Sequence, residues 1–214
     1  MRIFFSIFGN YTYLFTNLIC IMEELLTFLN AISSPAGKPL STELRDFLPT
    51  IVKRTTLKKG EYLLVPGQVC ENLYFIQKGL LKCFYILRGK AVSDWFFGET
   101  ETVVSIDSFY NQVPGDDFIE ALEDCALYYI SFQEYQDLCV TYFEFCLIAK
   151  ILTTKYLQLW FRQVRNIRML TAEERYLYLL KNQPDLIKRV QIQDLASFLD
   201  MSRETLSRMR GRIN

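Results

Sequence analysis

The residues with the clearest chemical potential lie near the end of the chain, in the segment MSRETLSRMR. On a helix, Arg203, Ser207 and Arg210 share one outward face, and Glu204 and Arg208 lie on its flank. Arginine can donate two hydrogen bonds to guanine, glutamate can accept one from cytosine, and serine can hold a phosphate. The pattern therefore predicts a helix whose exposed face reads the major groove of double-stranded DNA.

A solvated charged face on an ordinary helix is the alternative, and the arginines alone would not exclude it. Ser202 is a good N-cap, because its hydroxyl can accept from the backbone N–H of a residue in the first turn. A short turn at residues 200–201 follows an apolar-periodic helix around Leu195 and Phe198, and this arrangement predicts a helix-turn-helix. The candidate DNA-binding residues are Ser202, Arg203, Glu204, Thr205, Ser207, Arg208, Arg210 and Arg212.

The composition excludes most catalytic chemistry. The chain has no histidine, and its 6 cysteines are scattered without a C-x-x-C pair, so neither a zinc finger nor a Ser/His/Asp or Cys/His centre can be built. We therefore expect no enzyme, no metal site and no cofactor, and we expect the cysteines to be buried free thiols in a reducing cytoplasm. A cupin-like enzyme is a distant alternative, and Asp116 and Asp117 form either a Ca²⁺ loop or a solvated turn.

The charges are balanced in total but separated along the chain. Residues 1–90 carry 11 Lys/Arg and 6 Asp/Glu, residues 91–149 carry no Lys/Arg and 12 Asp/Glu, and residues 150–214 carry 13 and 6. The positive end, at +7, coincides with the predicted helix-turn-helix. This distribution favours a local anionic partner for the end of the chain, although the net charge is zero.

The segments that position this motif fall into a β region and a helical region. Helical spacing at residues 23–30 and 42–51 gives way to short aromatic and β-branched runs separated by Gly and Pro, which predicts an antiparallel barrel or jelly roll over residues 52–132. A capping box at Thr171 and Glu174 then opens a helix that Pro184 stops. We predict an α+β protein: an N-terminal antiparallel β-roll with flanking helices, a long helix and a C-terminal helix-turn-helix domain.

An apolar stripe predicts one long helix of about 25 residues, or about 37 Å, after the β region. Such a helix needs a partner along its length. It either packs on its own β-domain or pairs with a second copy in a parallel dimer, and we favour the dimer. The predicted dimer-interface residues are Phe145, Ile148, Leu152, Leu159 and Ile167.

The first residues, 1–21, are apolar and aromatic with one charge. A signal peptide or membrane anchor is one interpretation, but polar residues at Asn10, Thr12, Thr16 and Asn17 interrupt the run. Met22 opens a segment with amphipathic helix spacing, so we interpret residues 1–21 as an extension upstream of the true start. The predicted domains are then 22–142 for the β-roll, 143–169 for the dimerisation helix and 170–214 for the helix-turn-helix.

Two motifs in this order resemble the Crp/Fnr family of bacterial transcription regulators. They are KGEYLLVPGQVCENLYFIQKGLLK, with Gly60, Gly67 and Gly79 at the family's β-roll spacing, and SRETLSR. The resemblance covers residues 23–212 and implies a cyclic-nucleotide-binding-like β-roll, a dimerisation helix and a winged helix-turn-helix. It further implies base-reading roles for Arg203, Glu204 and Arg208 and positions nearer the DNA backbone for Ser202 and Thr205.

The effector pocket that the resemblance implies is degenerate in this chain. Members that bind cyclic AMP carry a phosphate-binding arginine followed by a small hydroxyl residue, and Gly115 and Asp116 stand at those positions. A cyclic phosphate needs cations or converging N–H donors, and residues 91–149 offer only carboxylates. We therefore predict that the chain does not respond to cyclic AMP. The degenerate pocket residues are Gly98, Glu99, Gly115, Asp116 and Asp117.

Two further features depart from the resemblance. An iron–sulfur site lacks its N-terminal cysteines, because only Cys20 lies there, and haem lacks a histidine ligand. The family adds a β-hairpin wing after the recognition helix, and here the wing is either absent or cut short. Phosphate contacts would then fall on Arg208, Arg210, Arg212 and the helix ends.

These observations predict a cytoplasmic, homodimeric regulator that binds double-stranded DNA. RNA polymerase is a further candidate partner, the small-molecule effector is unidentified, and no membrane partner is expected. The alternative is a ligand-sensing β-roll protein that acts through protein contacts and has a degraded DNA-binding end.

Overall fold

The computed structural model describes residues 23–34, 37 and 39–213. The predicted extension at residues 1–21 lies outside the described residues. The chain forms two compact units. One comprises the described residues up to Lys53 together with Gln133–Ile151, and the other comprises Arg54–Phe132 together with the residues from Leu152 onward. No helix in the described ranges is both long enough and apolar enough to cross a membrane.

The elements follow one another in the order helices, strands, helices. They are α1 (23–33), α2 (Thr42–Ile51), β1 (Lys53–Leu57), β2 (Tyr62–Leu64), β3 (Asn72–Lys78), β4 (Leu81–Leu87), β5 (Lys90–Phe97), β6 (Thr102–Val103), α3 (Ile106–Asn111), β7 (Phe118–Ala121), β8 (Cys125–Ser131), α4 (Phe132–Thr141), α5 (Phe143–Met169), α6 (Ala172–Asn182), α7 (Pro184–Arg189), α8 (Ile192–Phe198) and α9 (Arg203–Ile213).

The unit formed by the first helices has its own apolar core. Ser41 caps α2 by accepting from the backbone N–H of Leu44, and Leu44 and Leu48 are fully buried on one face of the helix. Phe145 of α5 is also buried here and contacts the ring of Tyr135 edge-on, with ring centroids 6.1 Å apart. The start of α5 is therefore held by packing within the chain.

The strands form a β-roll of two four-stranded antiparallel sheets, ordered β1-β8-β3-β6 and β2-β7-β4-β5. Ile76 and Leu127 are fully buried, as are Leu81 and Ile119. Gly79 follows β3 at φ +105°, and a Cβ there would lie 2.5 Å from the Cys125 sulfur, so only glycine fits this turn. The predicted α+β architecture with an antiparallel β-roll, a long helix and C-terminal helices is confirmed.

The C-terminal helices share a core with one face of the β-roll. The capping box at Thr171 and Glu174 is present and starts α6, as predicted. Pro184, which we predicted as a helix stop, is also the first residue of the short helix α7. Phe198 of α8 packs edge-on against Phe96 and Trp95 of β5, with ring centroids 5.3 and 6.1 Å away. Side chains of the helix-turn-helix and of this sheet therefore form one hydrophobic cluster.

The cysteines in the described residues are free thiols. Cys70, Cys83 and Cys125 are buried, as expected, but Cys139 is half-buried and Cys146 is exposed. The prediction of burial is therefore wrong for Cys146, which lies outside the apolar face of α5. Burial raises the pKa of the Cys83 thiol and so suppresses its reactive thiolate.

Candidate nucleic-acid interface

Helix α9 has one face against the protein and the other in solvent. Leu206 and Met209 are buried in the shared core and fix the rotation of the helix about its axis. The side chains that this rotation leaves exposed are Ser202, Arg203, Glu204, Ser207, Arg208 and Arg212, while Thr205 is half-buried. The structure thus brings the predicted arginines, serines and glutamate together on one solvent-facing surface.

The first turn of α9 is held by its cap. The Ser202 hydroxyl accepts from the backbone N–H of Thr205 at 3.1 Å, as predicted from the sequence. Hydrogen bonds from its own backbone N–H and from the Ser202 side chain lower the pKa of Glu204. Glu204 is therefore ionised at neutral pH, and in this state its carboxylate can accept a hydrogen bond from a donor such as the cytosine amino group.

Arg210 differs from its neighbours on α9. It is half-buried, and its guanidinium donates to the backbone carbonyl of Ile187 at 2.9 Å. This contact ties α9 to α7, because the acceptor is in that helix. The predicted outward role of Arg210 is therefore corrected: the side chain holds α9 in place, and Arg203 and Ser207 remain as the exposed pair of that face.

The turn before α9 and the helix before the turn are both fixed. Asp200 adopts φ +51°, and the Met201 N–H donates to the Ala196 carbonyl at 3.0 Å, which closes the end of α8. Arg175 donates to the Asp200 carbonyl at 3.0 Å and to the Ile167 carbonyl at 3.0 Å, and so joins the turn to the end of α5.

Helix α8 is anchored to the β-roll by a buried cation that sequence reasoning did not identify. Lys82 of β4 is only 7% exposed, and its ammonium lies 3.2 Å from Asp194 of α8 and 2.9 Å from Glu120 of β7. Its pKa is raised, because the hydrogen bonds and charges of these carboxylates outweigh burial, which alone would lower it. The only signal in the sequence is a lysine in a strand of apolar residues.

A second anchor, Arg189 at the end of α7, was also missed. Its guanidinium donates to Glu99 at 2.8 and 2.9 Å and to Glu123 at 2.8 and 2.9 Å. The hydrogen bonds from Arg189 lower the pKa of Glu99 to about 2 and also lower the pKa of Glu123. Two loops of the β-roll are therefore bound to the helix-turn-helix region through one side chain.

The predicted effector-pocket residues have other partners in the structure. Glu99 faces Arg189 and the Gly79 N–H, and Gly98 donates to Glu101 at 2.8 Å. Asp117 accepts from the Ser105 hydroxyl at 2.5 Å, and Asp116 is exposed. Glu99 and Asp117 therefore form hydrogen bonds with different partners and share none.

Gly115 lies in a tight place. A Cβ on this residue would lie 3.1 Å from the Ser108 Cβ and 3.3 Å from the Ser105 hydroxyl. Its backbone N–H donates to Gln68 at 3.2 Å and its carbonyl accepts from Gly67 at 2.9 Å. A longer side chain at this position would require Ser105 and Ser108 to shift by a few tenths of an ångström.

A cavity of about 410 Å³ lies beside this region, lined by residues of β2, β3 and β7 and by the loop before β3. Its one charged lining residue is Glu71, and Asn72, Gln68 and Tyr74 supply neutral polar groups. None of the predicted pocket residues lines it. The cavity is therefore suited to neutral or cationic groups more than to a phosphate.

The long helix α5 presents two different surfaces. Tyr156 packs on the β-roll, where its hydroxyl accepts from the Thr102 N–H at 2.9 Å, while Leu157, Trp160 and Phe161 are 59, 50 and 63% exposed. Of the five predicted dimer-interface residues, Phe145 and Ile148 are buried at 6 and 1% exposure, whereas Leu152, Leu159 and Ile167 are half-buried. The predicted seam is corrected for the two buried residues, because the chain's own side chains already cover them.

Comparisons with known proteins agree with this architecture. The sequence pattern of the cyclic nucleotide-binding domain matches residues 54–142. No curated protein matches the chain by sequence.

Solved structures match over most of the chain. FixK2 from Bradyrhizobium japonicum has a TM-score of 0.66 at 16% identity, with 76% of this chain and 84% of that chain covered. The c-di-GMP-responsive global regulator CLP from Xanthomonas campestris has a TM-score of 0.62 at 21% identity, with 78 and 88% covered. A protein from Eubacterium rectale assigned to the Crp/Fnr family of transcriptional regulators has a TM-score of 0.63 at 16% identity, with 79 and 82% covered. Residues 54–142 are therefore similar to the cyclic nucleotide-binding domain, and the chain has the fold of the Crp/Fnr regulators.

Proposed function

We propose that this protein is a sequence-specific, DNA-binding transcription regulator that is not controlled by cyclic AMP. The observation that carries the proposal is the exposed face of α9, where Arg203, Glu204, Ser207 and Arg208 are exposed and Leu206 is fully buried behind them. A helix that is fixed on its apolar side and bears arginines and an ionised glutamate on the other side has the shape and the donors that the major groove requires.

The regulator acts as a homodimer that binds a near-palindromic site. Two copies of α9 related by a two-fold axis would enter major grooves about 34 Å apart, one helical turn of DNA. The exposed apolar side chains Leu157, Trp160 and Phe161 on α5 support pairing through that helix, because such a cluster is costly to leave in water. The half-buried Leu152, Leu159 and Ile167 would flank this contact.

The β-roll acts as a scaffold or as a sensor of a ligand other than a cyclic nucleotide. The support is the tight packing at Gly115 and the pairing of Glu99 with Arg189, which leave the family's phosphate position without a cation. In this proposal the protein is cytoplasmic and has no catalytic role. It would regulate transcription by contacting RNA polymerase in addition to binding DNA.

Selection from a pool of random duplexes tests the proposal. We expect the full chain to enrich a dyad sequence, and we expect Arg203→Ala to weaken binding to that sequence by about 1–3 kcal/mol and to relax the preference at one base position in each half-site. Lys181→Ala, which removes an exposed cation of α6, is the matched control and should keep the base preference. Enrichment of no dyad, or an Arg203→Ala variant with unchanged base preference, would contradict the proposal.

A further inference from the structure

The turn between β4 and β5 carries two cations on a rigid support. Leu87 pairs with Lys90 across the hairpin, and Arg88 and Gly89 between them adopt φ of 52° and 77°. Two successive residues in the left-handed region form a type I′ turn, which matches the twist of the flanking strands. We call residues 87–90 the hairpin tip.

The hairpin tip is electrostatically positive. The chain has no acidic residue between Glu71 and Asp94, so the tip and β4 contain only Lys and Arg as charged residues, and the first acidic residue of β5 is Asp94. Arg88 and Lys90 are exposed, and neither takes part in a salt bridge within the described ranges. Their charges are therefore directed to solvent and available to a partner.

The hairpin runs alongside α8 in a defined direction. Near the base of the hairpin, Lys82 of β4 pairs with Asp194 in the first turn of α8. Towards the tip, the Ser93 N–H donates to the Ser197 hydroxyl at 3.0 Å, and this hydroxyl donates to the Ala91 carbonyl at 3.4 Å. The carboxyl end of α8 therefore lies at the tip end of the hairpin.

This direction places the tip beside the start of α9. Ala91 pairs with Ile86, and Arg88 follows Ile86 by two residues, so at about 3.3 Å per residue Arg88 lies roughly 7 Å beyond Ala91 along the hairpin. From Ser197 the chain passes through the turn to Ser202 and enters α9. The tip and the amino-terminal turn of α9 are thus at the same end of α8.

We infer that the hairpin tip is a second DNA-contacting element, in which Arg88 and Lys90 hold backbone phosphates that border the groove entered by α9. The inference rests on the proposed function and names a surface of the β-roll as part of the interface. Phosphate contacts supply most of the sequence-independent affinity for DNA. One arginine of α9, Arg210, is engaged by the Ile187 carbonyl, and cations at the tip add to the phosphate contacts of that helix.

The test is a salt titration with the full chain. Binding to the selected dyad and to a random duplex is measured by fluorescence anisotropy at several salt concentrations for the wild type and for Arg88→Asn/Lys90→Gln, in which asparagine tolerates the left-handed backbone. The control is Arg54→Gln/Lys59→Gln, which changes two exposed cations of the β-roll outside the tip and alters the net charge equally. Thermal unfolding of each variant verifies that it is folded.

We expect the tip variant to lower the slope of log K against log salt by about 4, since each protomer of the dimer loses two phosphate contacts, and to weaken binding at 0.1 M salt about tenfold or more, equally on both duplexes and without a change in base preference. The control should keep the wild-type slope. An unchanged slope in the tip variant, or an equal loss in the control, would overturn the inference. If the tip variant binds DNA normally but fails only in transcription with purified polymerase, the tip is a protein contact and the inference is also overturned.

The failure of this inference and that of the proposed function have different signatures. A wild-type chain that enriches no dyad overturns both. A chain whose dyad binding depends on Arg203 but not on Arg88 and Lys90 overturns only the role of the tip.

Discussion

At the scale of single residues, Arg189 joins two carboxylates of the β-roll to α7. It donates four hydrogen bonds to Glu99 and Glu123, which lie 90 and 66 residues earlier in the chain. Removing the guanidinium would leave two neighbouring carboxylates facing each other. We expect Arg189→Met to lower the free energy of unfolding at pH 7 by about 1–2 kcal/mol, less than for a fully buried pair because the carboxylates are partly hydrated.

The same contact predicts a pH dependence. The pKa of Glu99 is lowered from its ordinary value of 4.5 to about 2 by Arg189, so its contribution to stability is complete above about pH 4.5 and is lost as pH falls towards 2. Urea unfolding of the wild type should therefore show stability falling through this window, and Arg189→Met should show a shallower fall. An Arg189→Lys variant is the control that keeps the charge but loses the paired geometry. Parallel pH profiles for the wild type and Arg189→Met would contradict this assignment.

The residue scale also shows what the sequence can and cannot predict. The Ser202 cap, the capping box at Thr171 and the burial of Leu206 were predictable, because each depends on residues within one or two helical turns. The ion pairs of Arg189 and Lys82 join residues that lie far apart in the chain: 66 and 90 positions for Arg189, and 112 positions for Lys82 with Asp194. Their partners depend on how the helices dock on the sheet, which no local pattern specifies.

At the scale of elements, the helix α5 was predicted correctly, but two of the residues assigned to its dimer interface are buried within the chain. The apolar spacing predicted the helix, but it did not separate side chains that the chain itself buries from those left for a partner. Phe145 and Ile148 are taken up by the core of the first unit, and Leu157 and Phe161, one turn apart, are exposed. Burial by other elements of the same chain decides this difference.

The exposed face of α5 leads to a prediction about assembly. We expect Leu157→Gln/Phe161→Gln to raise the dimer dissociation constant by at least about 100-fold, because each apolar side chain contributes about 1.5–3 kcal/mol when buried and appears twice in a two-fold interface. Sedimentation of the variant should give a monomer, and dyad binding should be lost. Val140→Gln, which changes an 86% exposed side chain of α4, is the control and should remain dimeric. If the double variant remained dimeric, the dimer interface would have to lie on another surface.

At the scale of the whole molecule, the acidic middle segment is partly neutralised by cations from the rest of the chain. Glu99 and Glu123 pair with Arg189, and Glu120 pairs with Lys82. Every one of these cations comes from outside residues 91–149, so the composition of the segment alone does not describe its electrostatic environment. The compensation is local, however, and in the described residues no salt bridge reaches Asp116 or Asp117.

This uneven compensation predicts that the β-roll does not bind cyclic nucleotides. A ligand with a dissociation constant of 10 µM, present at 1 mM, would stabilise the fold by about 2.7 kcal/mol and raise the unfolding temperature by several degrees. We expect 1 mM cyclic AMP or cyclic GMP to leave the unfolding temperature of the full chain unchanged, and dyad DNA in the same assay to raise it. A saturable shift with either nucleotide would contradict the prediction and would require a phosphate site that does not use Gly115. Because a side chain on Gly115 would crowd Ser105 and Ser108, Gly115→Arg should destabilise the fold without creating cyclic AMP binding.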